Sequence, residues 1–87
     1  MKLLFERKFL KEVSSADKHT KQLVEHAILN AEHASTLLQV NNLKKLKGSK
    51  DAYRIRVGNY RIGIYFIHNQ LVFARLLHRK EIYRYFP

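Results

Sequence analysis

The chain contains no cysteine, one proline and three glycines among 87 residues, and only seven carboxylate side chains. Without thiols it can form neither disulfides nor thiolate metal sites, which fits a cytoplasmic location. No run of 18 apolar residues occurs, so no membrane-spanning helix is expected. The start, Met1-Lys2-Leu3-Leu4-Phe5-Glu6, turns acidic too soon for a signal peptide and reads as a first strand. Glu6, Glu12, Glu25 and Glu32 fall in the half read as helical, away from the face predicted to be basic, which argues against a two-carboxylate hydrolase. Gly58 and Gly63 form no phosphate-loop pattern, and Ser14 and Ser15 lack a nucleophile-elbow context. His19, His26 and His33 recur every seven residues, about 10 Å apart along a helix, too far for one tetrahedral metal. No metal or other cofactor is expected.

Cations are what the sequence has in excess. The formal charge is +10, and it is unevenly placed. Residues 1–43 hold six Lys/Arg against five acids, whereas residues 44–87 hold eleven against two. Such asymmetry points to a polyanionic partner, nucleic acid or an acidic protein, met by fast and salt-sensitive association.

Local patterns predict one α+β domain over residues 1–87. Lys2 to Phe5 reads as a short strand, and Phe9, Leu10 and Val13 place a short helix over residues 7–14. Ser14-Ser15-Ala16-Asp17 supplies a break and an N-cap candidate. Leu23, Val24, Ala27, Ile28, Ala31 and Ala34 then form the apolar stripe of a longer helix from Lys18 to about Ala34. Leu37, Leu38 and Val40 read as a last apolar turn. Asn41 to Ala52 reads as a connection, pinned by Leu43 and Leu46, with its lysines in water. Strands near residues 53–57, 60–67 and 71–77 follow, joined by Gly58-Asn59 and His68-Asn69, and a short C-terminal tail closes the chain. The expected order is β-α-α-β-β-β. An antiparallel helical hairpin covers one face of a mostly antiparallel sheet, and the other face is left to arginines.

The first hairpin carries the strongest functional signal. Tyr53, Ile55 and Val57 alternate with Arg54 and Arg56, and Arg61 follows the turn. Three fixed cations on one strand face repel one another and do little for folding, so they imply a bound polyanion. Arg75 either shares that face or pairs with an acid. Tyr53, Tyr60 and Tyr65 read as packing residues.

With Leu46-Lys47-Gly48 and the terminal His78-Arg79-Lys80-Glu81-Ile82-Tyr83, this hairpin resembles the RelE/ParE superfamily of small toxins from toxin–antitoxin pairs. The resemblance spans the chain in element order and its second half in motifs. It implies one of two activities: cleavage of messenger RNA in the ribosomal A site without metal, as in RelE-like members, or poisoning of DNA gyrase, as in ParE-like ones. It also implies a cognate antitoxin partner that wraps the toxin with a flexible segment. ParE-like members generally lack the full cationic set, so the resemblance favours the RelE branch. Arg61, Arg79 and Tyr83 are then the expected catalytic residues, and Arg54, Arg56, Lys44, Lys45 and Lys47 the expected RNA-binding ones. Some RelE-like toxins carry lysines on the first hairpin arm. Arginines stand here instead, and a guanidinium cannot act as a general base. Tyr83, its phenolate favoured by surrounding arginines, is the expected base, with Tyr85 and His78 as further acid–base candidates. A basic nucleic-acid-binding module without toxicity is the remaining alternative.

Overall fold

A computed structural model describes all residues from Met1 to Pro87. The elements run β1 (Lys2–Phe5), α1 (Arg7–Ser14), α2 (Lys18–His33), a 3-10 turn (Leu37–Gln39), β2 (Leu43–Lys45), β3 (Ala52–Val57), β4 (Tyr60–Ile67), β5 (Gln70–His78) and α3 (Ile82–Tyr85). The five strands form one sheet in the order β1-β5-β4-β3-β2, antiparallel throughout except that β1 runs parallel to β5. The expected helices and the three long strands are all present. The connection from Asn41 to Ala52 is not strand-free, however. Its first part, β2, adds an edge strand to β3, and the charges of Lys44 and Lys45 suit a position where further pairing must be discouraged.

Local chemistry accounts for the boundaries. Asp17 caps α2 by accepting the Thr20 backbone N–H at 2.8 Å. The β3–β4 turn has positive φ at Gly58 alone, the type II′ pattern with glycine first, while His68 and Asn69 both adopt positive φ, as type I′ requires.

Cross-strand rows alternate between two faces of the sheet. The inner rows, including Leu3/Leu71/Phe66 and Leu76/Ile62/Ile55, pack under α1 and α2 with Phe9, Val24 and Ala31. Phe5, Phe9 and Phe73 join β1, α1 and β5 through ring centroids 5.2–6.1 Å apart. Phe9 and Phe73 are fully buried, worth ~2–3 kcal/mol each to a core this small, while Phe5 stays partly exposed at its rim. Leu38 does not join this core as an apolar turn should. It is 97% exposed, because the 3-10 turn directs Leu37 inward and its neighbour out.

The outer face departs most from expectation, since arginines hold only part of it. A second, smaller core of Leu46, Ala52, Ala74, Leu77, Ile82 and Phe86 covers the rest, with α3 folded back over the sheet. Gly63 makes this possible. A Cβ there would lie 2.7 Å from the Phe86 ring, so only glycine lets the tail lie flat on β4. Ala74 is the extra residue of a bulge opposite Gly63 and Ile64, and its side chain enters the same small core.

Candidate nucleic-acid interface

Register decides which cations share a surface. Arg56 and Arg61 are directly opposed across the β3–β4 hairpin, so their side chains rise side by side from the outer face. Lys44, Arg54 and Gly63 form the next outer row, so Lys44 stands beside Arg54. Arg79 reaches the same place by another route. Its backbone N–H donates to the Asn59 carbonyl at 2.8 Å, pinning the start of the tail to the hairpin turn. Arg56, Arg61 and Arg79 then line the cationic end of one open groove of about 620 Å³. Tyr83, on α3, is 65% exposed and close enough to Arg61 to act on its charge.

The electrostatics are strained by design of the strand pattern. The Arg61 pKa is lowered, first by burial and then by repulsion from Arg54 and Arg56, with Tyr83 opposing the shift. A guanidinium stays protonated even so, and its pKa is lowered first by partial burial and only then by crowding among cations. Arg61 is steadied by donating to the Gly58 and Tyr60 carbonyls at 3.0 and 2.9 Å. Arg54 donates to the Asn42 carbonyl at 2.8 Å, and its Nε is buried with no partner. These bonds fix the forks and leave donor capacity over for an anion.

The lysines divide. Lys44 faces outward with the arginines, and Lys47, exposed beyond β2, lines a cleft with Lys44, Lys45 and Tyr83. The head of Lys45 is already engaged. Its Nζ donates to the Ser49 and Lys50 carbonyls and lies 5.5 Å from the Tyr53 ring, so it folds the 46–51 loop rather than joining the cationic rows.

Neither His78 nor Tyr85 lines the groove of Arg56, Arg61 and Arg79. The His78 Nδ1 accepts the Lys80 backbone N–H at 3.2 Å, and its ring meets Tyr60 edge-on at 5.5 Å. It lines a cleft beside α1 and not the arginine groove. The Tyr85 carbonyl accepts from Arg75, and the Arg84 guanidinium stands 5.4 Å from its ring. Arg75 has left the basic face, for it pairs with Glu12 at 2.8 Å. Glu12 is therefore not confined to the helical layer as expected. It also accepts the Leu76 backbone N–H at 2.9 Å, capping the β5 edge just past Phe73, where β1 ends.

Two determinants of the site escape a reading of spacing alone. One is Asn42, whose positive φ aims its carbonyl at Arg54; the Asn41-Asn42 pair is the available signal. The other is the Gly63–Phe86 contact, which sets the height of α3 and hence of Tyr83; an isolated glycine within a strand is its signal.

This arrangement can be set beside known proteins. The family model described as "ParE toxin of type II toxin-antitoxin system, parDE" matches residues 3–83. Toxin RelE3 of Methanocaldococcus jannaschii is 41% identical over 88 residues that span the whole of both chains. The chain belongs to the RelE/ParE toxin superfamily. The toxin of the RelB-RelE antitoxin-toxin complex from Methanococcus jannaschii superposes with a TM-score of 0.79 at 39% identity, over 97% of this chain and 99% of the other. An archaeal RelE-RelB complex from Pyrococcus horikoshii OT3 shares the fold, with a TM-score of 0.70 at 20% identity, over 90% of this chain and 93% of the other. As a RelE/ParE chain, this one sets its cations on the sheet face away from the helical hairpin, gathered by a β-hairpin and the first residues of the tail.

Proposed function

We propose that this RelE-like toxin is a ribosome-dependent endoribonuclease that cuts messenger RNA without a metal and is held in check by a cognate antitoxin. The carrying observation is the convergence of Arg56, Arg61 and Arg79 on one groove whose walls carry no carboxylate. Cleavage proceeds by attack of a ribose 2′-oxygen on the adjacent phosphorus. The bond from phosphorus to the 5′-oxygen breaks, leaving a 2′,3′-cyclic phosphate and a 5′-hydroxyl. The guanidiniums of Arg61 and Arg79 take up the charge that grows on the phosphorane oxygens, the term that usually dominates such catalysis. Arg54 and Arg56 grip the flanking phosphates, with Lys44 and Lys47 extending the track. Tyr83, acting as its phenolate, receives the 2′-hydroxyl proton, and the leaving 5′-oxygen takes one from the solvated surface of the ribosome complex.

The partnership with an antitoxin follows from likeness to the Methanococcus jannaschii toxin, which was solved with RelB. An acidic or amphipathic segment that folds on binding suits a +10 chain. No helix is long and apolar enough to cross a membrane.

The test is 5′-end mapping of messages on translating ribosomes given purified protein. New ends at the A site, lost in Arg61→Ala and Arg79→Ala, support the proposal; intact messages with the wild-type protein sink it, and normal cutting by both variants removes Arg61 and Arg79 from the catalytic role. Inhibition of DNA gyrase is a second reading, favoured by the ParE description of the matching family model. Loss of supercoiling activity with intact messages would establish it instead.

A further inference from the structure

The arginine groove continues well past the residues just assigned. Beyond Arg56 it passes the end of β3 and meets α2, where Leu23, Ala27, Ile55 and Val57 form an apolar floor. His26, Asn41, Asn42 and Asn59 stand around that floor. Asn30, their neighbour, is already spent, since its side chain bonds the Asn41 N–H and the Gln39 carbonyl. The Asn41, Asn42 and Asn59 side-chain amides make no hydrogen bond within the chain, and neither does the His26 ring. Leu23 packs against the hairpin turn, its Cδ1 only 3.0 Å from where a Gly58 Cβ would lie, so the floor is fixed to the cationic end.

We propose that this α2 extension is a subsite for one unpaired nucleotide next to the flanking phosphate held by Arg56, with its base over Leu23 and Ala27 against the His26 ring. The inference deepens the RNA-cleaving reading and rests on it. The chemistry is complementary in three respects. Guanidiniums at one end match the phosphate, and a groove without acids repels no part of the backbone. An apolar floor suits a base face, and histidine is among the side chains on which unstacked bases settle. Free amides present a donor and an acceptor together, as a base edge requires. At about 620 Å³ the groove has room for one nucleotide and its 5′ phosphate, not for a duplex.

The experiment is an NMR titration of the isolated protein with a 2′-O-methylated trinucleotide, which offers phosphates and bases but no hydroxyl to attack. Saturable shifts are expected at the amides of Leu23, His26, Ala27 and Asn42 together with those of the hairpin. Inorganic phosphate should move the hairpin signals alone. His26→Ala should weaken trinucleotide binding roughly tenfold, the loss of one stacked base, while His26→Phe restores it. Shifts confined to the hairpin, affinity indifferent to His26→Ala, or no binding at millimolar trinucleotide would each overturn the subsite. The cleavage reading is judged separately. If A-site cutting depends on Arg61 but not on His26, the subsite falls and the nuclease stands. If the trinucleotide binds as described and no message is cut, the subsite stands as an RNA contact and the nuclease falls.

Discussion

Two kinds of arginine stand on this one sheet. Arg75 lies at the β5 edge and is matched to Glu12 through three nitrogen–oxygen contacts of 2.8–3.2 Å. Its pKa is raised, chiefly by that hydrogen bonding. Arg61 lies a few residues away on β4 with no acid near it, and its pKa is lowered by burial and by neighbouring guanidiniums. One cation has been absorbed into the fold, while the other is held in tension against it. The pairing state of an arginine, more than its place in the sequence, separates structure from function here.

The sharpest way to break the comparison is to remove one arginine of each kind. Arg61→Ala should lower A-site cleavage by roughly 100-fold or more, as loss of a charge-stabilising donor does. Its thermal midpoint should hold or rise, since repulsion is relieved. A fall in stability comparable to that of a core mutant would count against the unpaired reading. Phe86→Ala tests how the tail supports the site. Removing a buried ring costs about 3–5 kcal/mol in a rigid core, and denaturant melts should show a loss toward the lower end because the tail can relax. Cleavage should drop with it, since α3 carries Tyr83; unchanged cleavage would separate the tail from the site.

Glu12→Gln addresses the other arginine. It leaves Arg75 without its charge partner and should destabilise by about 1–2 kcal/mol in urea, the upper values being discounted for partial exposure. Cleavage per folded molecule should stay at the wild-type level. The smallest effect is expected from pH. Arg61 and Arg75 are both cationic at any physiological pH, so neither shapes an activity profile near neutrality. Asp17 differs: its carboxyl is held below its usual range, first by the Thr20 backbone N–H and then by the Thr20 hydroxyl. A depressed carboxylate contributes stability above its unfolded pKa and loses it as pH falls through the folded one. Asp17→Asn should therefore flatten the acid limb of the melting profile while keeping the cap.

Much of the architecture was legible because it follows from short-range rules. Gly58-Asn59 and His68-Asn69 mark turns by their tolerance of positive φ, and the alternation through Tyr53–Val57 and Ile62–Phe66 sets which side chains face inward. The register of Arg56 against Arg61 follows from a two-residue turn. What could not be read depends on contacts between distant residues. The β2 strand is three residues long and reads as a lysine-rich link until β3 is beside it. The fate of Arg75 rests on Glu12, 63 positions away, and nothing in either neighbourhood announces the other. Lys45 looks like its neighbour Lys44, but a strand turns adjacent side chains to opposite faces. His78 and Tyr85 were plausible by chemistry and adjacency, and the end of β5 and the turn of α3 carried them elsewhere.

The parallel pairing of β1 with β5 has a kinetic consequence. The β3–β4–β5 meander joins neighbours along the chain and can assemble early, with its arginine rows in place. The first strand must wait for residues 70–73 before it gains any backbone partner. Closing so long a loop is slow relative to forming a hairpin. The N-terminal strand and α1 are thus expected to dock last, with transition-state contacts strong at the β3–β4 turn and weak at Leu3 and Phe9. Refolding rates of conservative truncations at those positions would measure the order directly.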